Sequence, residues 1–228
     1  MQGIKFEYEN KTFPLVYRKF GEFHGLTLVF ITMNEEHLIE SFIKHARRFV
    51  NSIKMVDGGS TDRTVQLARP LVDGLEVVNF NGHFSNQKNN AIRMSSSDWT
   101  IVLDPDEKLP DKVIEKIPEF INSNEYDCYS FPRKELLDNK ENTKIYPDYQ
   151  DRLFRTYCRY VRPVHHELVG FKNRCILPVD QGMDIIHSKY STRHSVRNVA
   201  YRYFQKHYAY EQGEPGKQGK DFFDKFME

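Results

Sequence analysis

The fold class is predicted mainly from residues 26–50, LTLVFITMNEEHLIESFIKHARRFV. This stretch begins with LTLVFI (26–31), a continuous apolar run of strand length. Apolar residues then recur at the spacing of an amphipathic helix: Leu38, Ile39, Phe42, Ile43, Ala46, Phe49 and Val50. A buried strand followed by a helix with one apolar face is the first unit of an α/β domain.

The same order repeats along the next part of the chain. Apolar runs recur at SIKMVD (52–57), LEVVNF (75–80) and WTIVLD (99–104). Helices are predicted between them, at 61–69 and 86–94, and a further helix behind Pro110. Near-continuous apolar strands separated by helices are typical of a parallel sheet that is covered on both faces. We therefore predict an α/β fold with a mostly parallel central sheet flanked by helices.

Changes in the pattern of apolar residues divide the chain into three parts. Residues 1–25 are polar and aromatic and form an N-terminal appendage, and 191–228 are predicted to form a C-terminal helix with a flexible tail. The central domain, 26–190, divides into the regular half (26–110) and a mixed half (111–190). Short strand candidates fill the mixed half: 127–133, 151–156, 166–171, 175–179 and 184–188.

Composition excludes several classes of protein. The 33 Lys and Arg residues nearly balance 32 Asp and Glu, so the net charge of +1 gives no general attraction to nucleic acid. Three cysteines without CxxC spacing argue against a disulfide framework or a structural zinc site. The cysteines instead indicate a reducing, cytoplasmic setting. Because no run of 18 apolar residues occurs, we expect at most peripheral membrane contact.

Polar clusters end three of the predicted strands: TMNEE (32–36), DGGSTD (57–62) and DPDE (104–107). Ligands of open α/β sheets bind where such strand ends converge, so the clusters are predicted to share one pocket. Asp104 and Asp106, separated by one residue, offer the oxygen ligands that Mn²⁺ and Mg²⁺ prefer. An isolated D-x-D, however, is commonly a solvated turn. In DGGSTD, residues 58–62 are equally explained as a glycine turn and a helix cap, which leaves Asp57 unexplained.

Four motifs in this order resemble one family. LVFITMNEE, VDGGSTDRT, FSNQKNNAI and WTIVLDPDEKL resemble the nucleotide-sugar domain of family 2 glycosyltransferases with the GT-A fold, over residues 26–110. QKN followed by Ala91, and later DWTIVLDPDE, is similar to the branch that contains lipopolysaccharide-core sugar transferases. The resemblance implies a GT-A-like fold, whose regular half binds the nucleotide, and a nucleotide-diphosphate sugar donor, with uridine as the favoured base.

The resemblance also assigns roles at the donor. Thr32, Asn34 and Glu35 would line the nucleoside end, and Asp57 would contact the base. Capping of a helix remains an equal alternative for Asn34.

At the sugar-phosphate end, Lys88 and Asn89 would lie beside the donor, with Lys88 standing where relatives carry Arg. Asp104 would face the ribose or sugar, and Asp106 would bind the metal. His187 ends the strand candidate DIIH and would complete the metal site or touch the diphosphate. The alternative is a hydrogen-bonded structural histidine.

Downstream, DRLFRT and PVHHELVG resemble a segment of the same branch. A carboxylate or imidazole there would act as general base, with Glu167 first, then His166 and Asp151. An ordinary exposed strand pair is the alternative at 166–167. Arg152 and Arg155 would clamp phosphate or form surface ion pairs.

The sequence thus predicts a metal-dependent, inverting glycosyltransferase that acts on a glycan, a lipid-linked sugar or a protein. A sugar-nucleotide pyrophosphorylase is disfavoured because TMNEE is neither Gly-rich nor basic. A non-catalytic nucleotide-sugar-binding module is the remaining alternative.

Overall fold

The computed structural model describes residues 25–144, 146–162 and 167–189, together with the backbone of 5–8 and 11–14. The predicted C-terminal helix and tail, 191–228, lie outside these residues. The strands are β1 (Lys5–Tyr8), β2 (Lys11–Pro14), β3 (Leu26–Thr32), β4 (Ser52–Asp57), β5 (Gly74–Val77), β6 (Trp99–Val102), β7 (Glu107–Lys108), β8 (Cys128–Leu137), β9 (Lys140–Asn142), β10 (Asp148–Arg155), β11 (Arg159–Val161), β12 (Glu167–Val169), β13 (Arg174–Ile176) and β14 (Ile185–Lys189). The helices are α1 (Ile39–Ala46), α2 (Thr64–Ala68), α3 (Phe84–Arg93) and α4 (Asp111–Asn122).

One large sheet organises the domain, in the order β5-β4-β3-β6-β10-β8-β14-β7, with β9 and β13 paired to β8. Strands β5, β4, β3 and β6 are parallel neighbours. Beyond β6 the sheet is mixed, because β10 runs antiparallel to both β6 and β8, whereas β14 is parallel to β8. The predicted parallel first half and mixed second half are confirmed. Two small pairs, β1 with β2 and β11 with β12, lie outside this sheet.

Hydrophobic cores cover both faces of the parallel strands. Leu28 and Phe30 of β3 face a core that α1 and α4 complete. Val29 faces the opposite core, which α3 closes with Ala91 and Ile92. Alternate residues of one buried strand thus enter different cores, which explains its continuous apolar run. Among the described helices, none has the length and apolar character needed to cross a membrane.

Element boundaries differ from the prediction where side chains cap the backbone. Helix α2 begins at Thr64 rather than 61, because Asp62 Oδ1 accepts the Thr64 N–H (2.9 Å) and the preceding residues belong to the loop. Helix α3 begins two residues early, at Phe84, and His83 Nδ1 accepts a hydrogen bond from the third residue of the helix. Strand β5 ends at Val77, before the predicted residue 80.

Candidate active site

The ends of three parallel strands bring the predicted polar clusters together. Thr32 at the end of β3 is paired with Asp57 at the end of β4, and β6 lies directly on the other side of β3. Because the three strands run in the same direction, the loops that follow them leave one edge of the sheet. The acidic turn at 104–107 therefore lies on the same edge as the loop that begins at Asp57, as the sequence predicts.

The Asp57 carboxylate organises its own loop. Its Oδ1 accepts the N–H groups of Gly59 (2.9 Å) and Ser60 (2.7 Å), and the side chain is fully buried. Gly59 has φ +100°, a conformation that favours glycine. These contacts explain why an aspartate stands at the end of β4. The predicted contact between Asp57 and a base would require this loop to open.

Asn34 and Glu35 join the first loop to the second. Asn34 has φ 55°, its Oδ1 accepts the Thr61 N–H (2.8 Å), and its own N–H donates to Ser60 Oγ (2.9 Å). The Glu35 N–H donates to Thr64 Oγ1 (2.7 Å), and Glu35 is buried. Asn34 caps neither α1, whose N-cap residue is Leu38, nor α2, whose N-cap residue is Arg63. Its side chain bonds the backbone of the neighbouring loop instead.

Thr32 offers a polar atom at the nucleoside end. Its backbone oxygen accepts the Gly58 N–H (2.8 Å), which ties the end of β3 to the Asp57 loop. The side chain is 6% exposed, and its Oγ1 has no hydrogen-bond partner among the residues that the structure describes. A buried hydroxyl without a partner is costly, so a ligand atom at this position would stabilise it.

Helix α3 supplies Lys88 and Asn89. Lys88 is 2% exposed, with its Nζ 3.5 Å from Asp104 Oδ1 and 5.4 Å from the ring centre of Tyr160. Burial lowers the pKa of Lys88, while the nearby Asp104 carboxylate opposes that shift. Asn89 donates to the Tyr160 carbonyl (2.8 Å) and accepts the Tyr160 N–H (2.9 Å). A donor contact through the Asn89 amide would have to share or replace these bonds.

The turn at 104–107 holds its carboxylates in different environments. Asp104 Oδ1 faces Lys88, and its Oδ2 accepts from Arg152 Nη2 (3.1 Å). Arg152 is therefore a buried ion-pair partner, 1% exposed, rather than the surface residue that the sequence allowed. Although burial acts to lower it, the pKa of Arg152 is raised by the carboxylates of Glu107 and Asp104.

Asp106 meets His187, which is far away in the sequence. His187 Nε2 lies 3.4 Å from Asp106 Oδ2, and the Asp106 carbonyl accepts the Ser188 N–H (2.9 Å). Ligand atoms about 2.1 Å from an octahedral cation lie roughly 3 Å apart, so the two side chains fit adjacent ligands of Mn²⁺ or Mg²⁺. In the described part of the chain, no third His, Cys, Asp or Glu joins them to complete a ligand group. The remaining positions would suit phosphate oxygens and water.

A cavity of about 300 Å³ collects the general-base candidates that the structure describes. Asp151 and Glu167 both line it, beside Arg152, Arg162 and Tyr160. Glu167 is half exposed and pairs with Arg162 Nη2 (3.1 Å). His166 lies outside the described residues. Because Arg152 also contacts Asp104, the cavity adjoins the acidic turn.

Sequence reasoning missed the role of Glu107. The sequence places Glu107 in the DPDE cluster without a predicted role, whereas its side chain is fully buried in the structure. Its Oε2 accepts the Asp104 N–H (3.1 Å), and its Oε1 accepts from Arg133 Nη1 (2.9 Å) and from Arg152. No local signal could have identified these arginines, since both lie more than 25 residues away along the chain.

The chain is similar in sequence to known glycosyltransferases. Residues 27–173 match the family model for glycosyl transferase family 2. An uncharacterized glycosyltransferase of Rickettsia bellii is 29% identical over 143 residues, which cover 63% of this chain and 47% of that protein. The lipopolysaccharide core biosynthesis glycosyltransferase LpsC of Rhizobium meliloti is 29% identical over 104 residues, 44% of this chain and 38% of LpsC.

Solved structures support the fold. The crystal structure of TarS residues 1–349 from S. aureus, in complex with UDP, has a TM-score of 0.57 at 13% identity, covering 78% of this chain and 65% of that one. The GT-A-like fold is thereby confirmed. The chain spans about half the length of the Rickettsia relatives it matches. On its sequence match and its fold, the chain belongs to glycosyl transferase family 2.

Proposed function

We propose that this chain is a metal-dependent, inverting glycosyltransferase that moves a sugar from a UDP-sugar to an acceptor hydroxyl or comparable nucleophile. The single observation that carries the proposal is the contact between Asp106 and His187, 3.4 Å apart beside the strand ends. An oxygen and a nitrogen ligand so placed suit a divalent cation that also takes phosphate oxygens. The chemistry supplied there by bound Mn²⁺ or Mg²⁺ is neutralisation of charge on the leaving diphosphate.

The donor lies across the edge of the parallel strands. Thr32 Oγ1, buried and without a partner among the described residues, hydrogen-bonds the nucleoside end. Asn34, Glu35 and Asp57 hold the two loops that shape this end, so their main contribution is to keep the loops in place. UDP is favoured because TarS, which shares the fold, has been crystallised with UDP and with UDP-GlcNAc.

The sugar lies over the charged residues between the acidic turn and the cavity. Lys88 and Arg152 hold Asp104 from both sides, and this fixes the direction of its carboxylate toward the ribose or sugar. The preorganised charges need little rearrangement when negative charge develops on the leaving group. Asn89 fixes the backbone of Tyr160 beside this position.

Transfer proceeds by a single displacement. The acceptor oxygen attacks the anomeric carbon from the cavity side, the bond to the diphosphate breaks with its electron pair, and configuration inverts. Glu167 takes the acceptor proton, because it lines the cavity and is half exposed. Asp151, in the same cavity, is the second candidate. The acceptor is a glycan, a lipid-linked sugar reached at the membrane surface, or a protein side chain.

Release of UDP from a panel of UDP-sugars, measured without acceptor, tests the proposal. We expect slow hydrolysis that requires Mn²⁺ or Mg²⁺ and that stops when EDTA is added. Matched CDP- and GDP-sugars control for the base. Hydrolysis that is equally fast in EDTA would contradict the metal requirement. Binding of the nucleotide sugars without any turnover, with or without candidate acceptors, would instead support a binding module.

A further inference from the structure

One buried carboxylate connects the parts of the proposed site. Glu107 receives the Asp104 N–H on Oε2 and both Arg133 and Arg152 on Oε1. Its own N–H donates to the Asp104 carbonyl (2.8 Å), so backbone and side chain both close the turn around Asp106. The conformation of this turn therefore depends on a side chain that is fully buried.

The backbone of Glu107 also reaches the second metal candidate. Strand β7 pairs with β14, and the register places Glu107 opposite His187. Asp106 is the preceding residue in the chain, and its carbonyl accepts the Ser188 N–H across the same junction (2.9 Å). The separation of Asp106 and His187 is thus set by the two-residue strand that Glu107 begins.

A β-bulge directs Arg152 toward this carboxylate. Asp151 is paired with Ser130 and Leu153 with Tyr129, so Arg152 is the extra residue on β10. Bulges next to active sites re-aim a side chain, and here Asp151 and Arg152 in succession both line the cavity. Within the described residues, Arg152 Nε and Nη1 have no hydrogen-bond partner. Its Nη2 is held by Glu107 and Asp104, and the other two nitrogens are buried donors beside the cavity wall.

Stability alone does not explain this arrangement. Burying charged groups costs solvation energy that their mutual attraction often fails to recover, and apolar replacements can be equally stable. The network contains three cations, Lys88, Arg133 and Arg152, and three carboxylates, Asp104, Glu107 and Asp148. All members except Asp148 belong to the acidic turn or contact it, and Arg152 also lines the cavity.

We propose that Glu107 is the positioning residue of this site, holding the 104–107 turn in its metal-binding shape and aiming Arg152 at the cavity. The proposal rests on the proposed function, since it presumes that Asp106 and His187 bind the cation. Glu107 acts through its neighbours and touches neither cation nor donor. Its loss should weaken metal binding by about 10- to 100-fold, the usual range for partners behind the ligands.

Glu107→Gln provides the test, because it preserves size but removes the charge that holds two arginines. Mn²⁺ affinity is measured by electron paramagnetic resonance of free Mn²⁺, at a temperature well below the melting temperature of each protein. We expect the Mn²⁺ Kd of Glu107→Gln to rise at least tenfold, and kcat for UDP-sugar hydrolysis without acceptor to fall.

The matched control is Asp148→Asn. Asp148 accepts from Arg133 Nε (2.9 Å) but does not contact the turn, so this variant removes a carboxylate from the same arginine. We expect its melting temperature to fall while its Mn²⁺ Kd stays within twofold of the unmodified protein. Equal weakening of Mn²⁺ binding in both variants would assign the effect to general loosening and overturn the proposal.

Glu107→Asp serves if Glu107→Gln does not fold. It keeps the charge but withdraws the carboxylate by one methylene from the Asp104 N–H, and we expect a folded protein with weakened Mn²⁺ binding. Unchanged Mn²⁺ affinity in a folded variant would refute the positioning role. Failure of both variants to fold would also refute it, because Glu107 would then be a residue of the fold itself. If the unmodified protein binds no Mn²⁺, the proposed function fails instead.

Discussion

The two halves of the domain hold their polar groups in different ways. In the parallel half, the loops after β3 and β4 are tied by short hydrogen bonds, such as those that Asn34 and Asp57 accept from backbone N–H groups. Where the parallel half meets the mixed half, charged side chains from distant segments are buried together instead. Arg152 of the mixed half lies between Asp104 and Glu107, which end the parallel half. Under the proposed function, the hydrogen-bonded loops would hold the nucleotide end in place, and the buried charges would lie beside the reacting sugar.

The largest expected effect lies in the mixed half. Glu167→Gln should lower transfer by about 10²- to 10⁴-fold, the range for losing a general base, while donor affinity stays within twofold. Because Glu167 is half exposed and its pair with Arg162 lies at the surface, stability should change little. Initial rates of transfer and calorimetric binding of UDP would measure the two quantities.

Asp151→Asn is the comparison variant for this assignment. Both carboxylates line one cavity, so only the base should show the full loss of turnover. A large loss in Asp151→Asn with near-normal transfer in Glu167→Gln would move the base to Asp151. Normal transfer in both variants would remove the base from the residues of this cavity that the structure describes.

At the junction of the two halves, His187→Ala should weaken Mn²⁺ binding at least tenfold, because it removes one of two protein ligands. Nucleotide affinity should fall only when Mn²⁺ is present. Calorimetric titration of UDP with and without Mn²⁺ separates the two terms. An equal loss of affinity in EDTA would indicate direct contact of His187 with the diphosphate.

A smaller effect is expected for Thr32→Val in the parallel half. The substitution keeps the shape but removes Oγ1, which has no partner among the described residues, so the melting temperature should not fall. Loss of one hydrogen bond to the donor should raise the Kd for UDP by roughly 2- to 10-fold. A lowered melting temperature with unchanged Kd would show that the hydroxyl serves the fold.

The smallest effect concerns the loops themselves. Asn34→Ala removes the acceptor of the Thr61 N–H and should cost about 1 kcal/mol of unfolding free energy, as for loss of a helix cap. Urea denaturation would measure it. Full stability in this variant would mean that the loops do not depend on each other, which would weaken the contrast between the two halves.

Much of the parallel half could be predicted from the sequence, because each of its strands and helices has a pattern of apolar residues within its own segment. A buried strand such as Leu26–Thr32 is a continuous apolar run, and the strand direction follows from the helices between strands. The boundaries of α2 and α3 were less accurate. They depend on hydrogen bonds from Asp62 and His83 side chains to backbone N–H groups, for which several sequence positions would have served equally well.

The site could be predicted only in part. That Asp106 and His187 lie together was expected from the family resemblance, and the structure brings them within 3.4 Å. The buried network around Glu107 was missed, because ion pairs between residues far apart in sequence leave no periodic or spacing signal. The position of Arg152 could not be predicted, because it depends on a β-bulge in β10 that has no signal in the sequence.

The turnover of Asp106→Ala is the sharpest test of the proposed cation site. If the acidic turn and His187 bind one cation at the donor diphosphate, the variant should lose at least about 100-fold in Mn²⁺-dependent turnover. Its melting temperature should remain close to that of the unmodified protein. Turnover within a few-fold of the unmodified protein, at equal Mn²⁺ and UDP-sugar concentrations, would contradict a catalytic cation bound by Asp106.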